Sequence, residues 1–175
     1  MPLLHDPAPD FSDPIGLLAA CHQRILDHCD LLERMTDWLL QHGVDTEIQA
    51  AARRVHRYFD QAAPHHHADE EQDLFPLLLR MPDLADVLRT LQAEHTALDA
   101  HWLALEPDLL GLVDGHPADD WAEMVRGFVD AYRHHIAVEN ERILPAARER
   151  LAAKQLQAIG QAMAARRGVA PNGGQ

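Results

Sequence analysis

Histidine is the residue in excess. The 175-residue chain carries 13 of them, and their spacing points to metal chemistry. His66 and Glu70 stand four apart, as do His135 and Glu139. On a helix, residues at i and i+4 share one face about 6 Å apart, so each pair presents an imidazole and a carboxylate side by side. The two pairs belong to an internal repeat. Arg57–Pro76 lies on Arg126–Pro145 at an offset of 69, with eight identities in twenty positions, among them Phe59/Phe128, His66/His135, Glu70/Glu139 and Pro76/Pro145. A second repeat, at offset 73, aligns Leu18/Leu91, Ala20/Ala93, His22/His95, Ile25/Leu98 and His28/His101. The chain thus reads as two helical hairpins, each with one histidine on its first helix and a His-x-x-x-Glu pair on its second.

Phe59 and Phe128 lie seven residues before His66 and His135, on the same stripe. The stripe therefore faces the interior, where a carboxylate and an imidazole are costly unless paired or bound to metal. Four imidazoles (His22, His66, His95, His135) and two carboxylates (Glu70, Glu139) converging in a bundle core make a dinuclear site of the carboxylate-bridged type, with His-x-x-x-Glu in place of the Glu-x-x-His order. One such pair alone is usually a surface i,i+4 interaction. The duplication in register argues against that here. The run His65-His66-His67 leaves the ligand register to be chosen. The repeat selects His66, and Asp60, seven before His67, is a poor interior residue. His5, His42 and His116 fall in the arm or loops, His28 and His101 on the flanks of the stripe, and His56 outside the repeat. His65, His67 and His134 neighbour the candidates and are read as lying outside the ligand set. Asp69, Glu71, Asp99 and Asn140 are candidates to orient the imidazoles.

The elements that must position these groups are helices. Apolar residues recur at helical spacing from about Pro14 to His42, and Gly43 is a good terminator. Asp45 or Thr46 caps a second helix running to about Met81, with a kink or break expected at Pro64 and Pro76. A third runs from about Asp83 to Val113, with Pro107 disturbing its last turns. Asp119 or Asp120 caps a fourth that ends near Arg150, and a short amphipathic fifth covers Ala152 to Arg166. No alternating strand pattern occurs. The expected fold is all-α, an antiparallel up-down-up-down four-helix bundle with a short extra C-terminal helix that caps one end or mediates self-association. By residue, that is a flexible N-terminal arm over 1–12, the bundle over 13–150, the C-terminal helix over 151–168 and a disordered tail over 169–175.

Composition narrows the partners. With 15 Lys+Arg against 28 Asp+Glu the net charge is −13, so neither nucleic acid nor an anionic membrane is an expected partner. No apolar run reaches the length of a transmembrane helix. The opening MPLLHDPAPDFSDP lacks the basic and apolar regions of a secretory signal. Cys21 and Cys29 lie two helical turns apart, too far for a disulfide within one helix. The expectation is a cytoplasmic protein with two reduced thiols, a monomer or homodimer.

The phrases HHADEEQDLFP (His66–Pro76) and HIAVENERILP (His135–Pro145), with DPIGLLAACHQRI and LQAEHTAL on the single-histidine helices, resemble the haemerythrin HHE cation-binding family over about residues 13–150. The resemblance implies two non-haem irons joined by an oxo or hydroxo bridge. It carries the ligand roles to His22, His66, Glu70, His95, His135 and Glu139, with both glutamates bridging. This chain has Asp99 where the oxygen carriers of the family have a second third-helix histidine. It has Asn140 where they have an aspartate. Its ligand set is closer to HHE proteins linked to nitric oxide stress and iron-centre repair.

Four imidazoles, two bridging carboxylates and a bridging oxygen leave about two of the roughly twelve positions around two octahedral irons open, one on each. The functional expectation is a protein that binds iron and reacts with or senses a small oxidant (O2, NO or peroxide) in stress response or iron homeostasis. Reversible O2 binding or storage, or iron sensing without catalysis, is the alternative. A structural bundle holding zinc or no metal is a third reading. No P-loop, GxSxG or HExxH motif is present.

Overall fold

A computed structural model describes residues 10–169. Most of the arm expected over 1–12 and of the tail expected over 169–175 lies outside the described residues. Within them the chain is all helical, with no strand. Helix α1 spans Pro14–His42 and α2 Thr46–Ala68. A π-helical segment, π1 (Asp69–Leu74), leads into the short α3 (Phe75–Leu78). Then come α4 (Ala85–Val113), α5 (Trp121–Val138), a second π-helical segment, π2 (Glu139–Ile143), α6 (Leu144–Arg150) and α7 (Ala153–Arg166).

Local chemistry sets the ends. Asp13 caps α1 by accepting from the Gly16 N–H, with Pro14 in the first turn. Gly43 closes α1 at φ 70, a conformation that favours glycine. Asp45 is the cap of α2, accepting from the Ile48 N–H at 2.9 Å. Asp120 precedes α5 but makes no side-chain cap. The four long rods form a ring in which α1 and α4 each pack on both α2 and α5. The single-histidine helices are therefore diagonal to one another, as are the two His/Glu helices.

The prolines behave unevenly. Pro64 and Pro107 sit inside continuous helices, so the chain is not broken at either. Both are exposed, where the carbonyl left without a partner can turn to water. Before Pro76 the rod stays continuous but widens by one residue. The same widening precedes Pro145, where the sequence reading expected an unbroken α-helix. The Phe75 and Leu144 N–H groups reach back to the Glu70 and Glu139 carbonyls. A proline lacks an N–H and crowds the carbonyl four residues earlier; a π turn accommodates both.

Two apolar clusters fill the ring. One gathers Ile25, Cys29, Leu32, Phe59, Leu98 and Phe128; the other gathers Leu18, Leu74, Phe75, Leu91, Ile143 and Leu144. Along every rod the sequence passes from one cluster to the other through a histidine: Leu18-His22-Ile25, Phe59-His66-Leu74, Leu91-His95-Leu98 and Phe128-His135-Ile143. A polar layer is thus sandwiched between two apolar ones. Helix α7 packs on α1 and π1 and adds Ile159 and Met163 to the second cluster. Gly160 lets it approach closely, since a Cβ there would overlap the Phe11 carbonyl oxygen. Among the described residues no helix is long and apolar enough to cross a membrane.

Candidate metal centre

All six residues singled out by the repeats lie in the polar layer, each no more than 2% exposed. They form two groups whose candidate ligand atoms lie within 4.8 Å of one another: His22, His66, Glu70 and Glu139, and Glu70, His95, His135 and Glu139. The two glutamates belong to both groups, and their oxygens are divided between them. Glu70 Oε1 lies 3.4 Å from His22 Nε2 and 3.5 Å from His66 Nε2, while its Oε2 lies 3.4 Å from His95 Nε2. Glu139 Oε2 lies 3.1 Å from His22 Nε2, while its Oε1 lies 3.3 Å from His135 Nε2 and 4.0 Å from His95 Nε2. The π turns open at these two glutamates, on the two His/Glu rods.

Three of the four imidazoles are held from behind. His22 Nδ1–H donates to Asn140 Oδ1 at 2.7 Å, His95 Nδ1–H to Glu71 Oε1 at 2.8 Å, and His135 Nδ1–H to Glu94 Oε2 at 2.9 Å. Each such bond leaves Nε2 as the ligating nitrogen, aimed into the layer. His66 Nδ1 has no partner. Glu71 and Asn140 are repeat mates, each following a layer glutamate. Of the expected orienting residues, these two touch ring nitrogens. Asp69 touches none, and Asp99 reaches only His67, outside both ligand groups. Asp69 is fully buried and ion-paired to Arg166, the last residue of α7, and to Arg167, which follows it. The Asp99 side chain is 71% exposed and stands 3.5 Å from His67 Nδ1. Glu94, which directly precedes His95, is not among the residues that the repeats point to.

The neighbouring histidines separate clearly. His65, His101 and His134 are exposed. His67 is buried and its ring stacks on His95 at 4.2 Å, but it belongs to neither ligand group. His28, expected on a flank, is buried against Tyr58 and donates to the Arg24 carbonyl at 2.7 Å. His56 pairs with Glu106 at the surface. Both cysteines are buried free thiols.

The electrostatics are those of a layer that needs cations. Among the described residues, the seven buried side-chain polar atoms without a hydrogen-bond partner all lie in or against it. Five are candidate ligand atoms: Glu70 Oε2, both Glu139 oxygens, and Nε2 of His95 and His135. Burial opposes charge on His22, but the Glu139 and Glu70 carboxylates outweigh it and lift the imidazole to about 10. Burial likewise opposes His95, which the same carboxylates raise to about 9. His66, where burial prevails, falls to about 3. Burial also resists ionisation of Glu70 and Glu139, and the surrounding imidazoles reverse that, lowering both. Against burial, the Glu139 carboxylate raises His135 as well, so without metal protons on these imidazoles offset the two buried carboxylates. A divalent cation can replace those protons and also satisfy the unpartnered oxygens. The donor set, imidazole nitrogen with carboxylate oxygen, suits iron and similar first-row ions.

Residues 13–147 match the Hemerythrin HHE cation binding domain. The chain is also 34% identical over 160 residues to an uncharacterized protein of Haemophilus influenzae, covering 91% of this chain and 92% of that one.

Proposed function

Because the chain belongs to the hemerythrin HHE cation-binding domain family, whose membership implies binding of iron or another cation, we propose that the polar layer holds two non-haem iron ions and that the protein reacts with a small oxidant: O2, NO or peroxide. The division of the glutamate oxygens carries this reading. Each carboxylate offers one oxygen to the His22/His66 half and the other to the His95/His135 half, as two bridging ligands require. His22 and His66 would hold one ion and His95 and His135 the other, with Glu70 and Glu139 shared.

A ferrous pair supplies two electrons to an oxidant. The chain's own residues prepare for that. The Nδ1 bonds to Asn140, Glu71 and Glu94 fix three ring orientations before any ligand arrives. The apolar clusters on both sides keep bulk water from the layer. Glu71 and Glu94 add two negative charges to those of Glu70 and Glu139, so two divalent ions are neutralised on binding. Four protein donors per half leave about two positions of an octahedral ion for other ligands. Asp99, directed to solvent beside His67, does not take one. A cleft of about 240 Å³ lies between α2 and α4, lined by Ala63, Asp99, Trp102 and Tyr132.

The open, carboxylate-rich set favours the ferric state and therefore oxidation over clean release of O2. Anaerobic stopped-flow spectroscopy of the ferrous protein tests this. The expected result is a rapid, irreversible growth of near-ultraviolet absorption on mixing with peroxide, a lasting spectral change with NO, and autoxidation in air. A stable oxygen adduct that releases O2 over repeated cycles contradicts it and favours reversible carriage.

A further inference from the structure

The two halves of the site are alike in their inner donors and unlike in what stands behind them. In the His95/His135 half, both imidazoles donate Nδ1–H to carboxylates, Glu71 at 2.8 Å and Glu94 at 2.9 Å. In the His22/His66 half, His22 donates to the neutral amide of Asn140 at 2.7 Å, and His66 Nδ1, although buried, has no acceptor. The difference is written in the repeats. Offset 69 aligns Glu71 with Asn140, and offset 73 aligns Glu94 with Cys21. At both places where one hairpin has a carboxylate behind an imidazole, the other has an uncharged residue.

A carboxylate accepting from Nδ1 raises the basicity of Nε2 and fixes the ring, and losing such a partner typically costs about 10–100-fold in metal affinity. It also brings a negative charge near the cation. Both effects act twice in one half and not at all in the other. We infer that the halves are inequivalent: a divalent cation fills the His95/His135 half first and leaves it last, and the His22/His66 half is the exchangeable one. This rests on the two-metal reading. It adds an order of loading, and a half from which one ion can depart while its neighbour stays.

The test uses the full chain, demetallated, titrated anaerobically with Co(II), which reports binding by its visible bands and by hyperfine-shifted imidazole N–H protons in NMR spectra. The wild type is expected to show two steps, with affinities at least about tenfold apart. Glu94→Gln and Glu71→Gln keep an acceptor oxygen and remove the charge, so each should weaken the first step by about tenfold or more and leave the second unchanged. Asn140→Asp should strengthen the second step and narrow the gap; a gain of affinity cannot come from misfolding. His66→Ala should abolish the weak step and His135→Ala the strong one. Two equal steps in the wild type overturn the inference, as does loss of the strong step in His66→Ala. Uptake of one Co(II), or none, instead overturns the two-metal reading beneath it.

Discussion

Replacing His66 or His67 with alanine separates two adjacent histidines that are both buried. His66 Nε2 belongs to the His22/Glu70/Glu139 group, whereas His67 packs its ring on His95 at 4.2 Å and joins neither group. Both substitutions remove a packed ring and should lower the stability of the metal-free protein, by about 1–3 kcal/mol each. The discriminating quantity is the increment that metal adds. A site whose free ion stands a hundredfold above its Kd contributes about 2.7 kcal/mol, which in a chain of this size is about 5–11 °C in Tm. His66→Ala should lose that much of the metal-dependent increment, together with one bound ion per chain. His67→Ala should keep both ions and most of the increment. The assay is differential scanning fluorimetry of each variant with and without metal, paired with elemental analysis. Equal loss of increment in both variants, with helix content intact, refutes the assigned register.

Two further outcomes follow from the charges. In the metal-free protein His22 is raised from an ordinary 6.5 to about 10 and His95 to about 9, so their stabilising contribution is full below pH 6.5 and is lost as pH climbs through 9 and 10. Metal competes with those protons, so its affinity should rise over the same window; denaturant midpoints and Co(II) titrations between pH 6 and 10 should move in opposite directions, and two flat profiles contradict the charge assignment. Separately, Arg166→Ala with Arg167→Ala leaves the fully buried Asp69 carboxylate unpaired; the double variant should lose about 3–5 kcal/mol in urea denaturation, and a loss below about 1 kcal/mol shows that α7 does not brace π1.

What the sequence made legible was whatever repeats. The 3.6 period marked the four long rods, and the 69- and 73-residue offsets drew out His22, His66, Glu70, His95, His135 and Glu139, which the fold brings into one layer. The π turns were not legible, because proline alone does not decide them. Pro64, Pro76, Pro107 and Pro145 are all exposed, yet of these only the two that follow a layer glutamate carry a widened turn before them. Glu94 escaped because its role depends on which way a long side chain crosses from α4 to α5. Asp69 is a candidate imidazole partner by sequence, and its actual pairing was not legible because Arg166 and Arg167 lie 97 and 98 residues away. Repeats report what two halves share. Glu71, Glu94, Asn140 and Cys21 are where the halves differ, and only the folded contacts give those differences a meaning.

In the proposed site Glu70 and Glu139 would bridge a pair of metals. Iron analysis of anaerobically reconstituted protein, read with Mössbauer spectra of the same sample before and after oxidation, tests this most directly. The expected result is two irons per chain that become magnetically coupled on oxidation, and loss of the coupling in Glu139→Gln. A single iron per chain, or two irons that remain magnetically independent when oxidised, contradicts it.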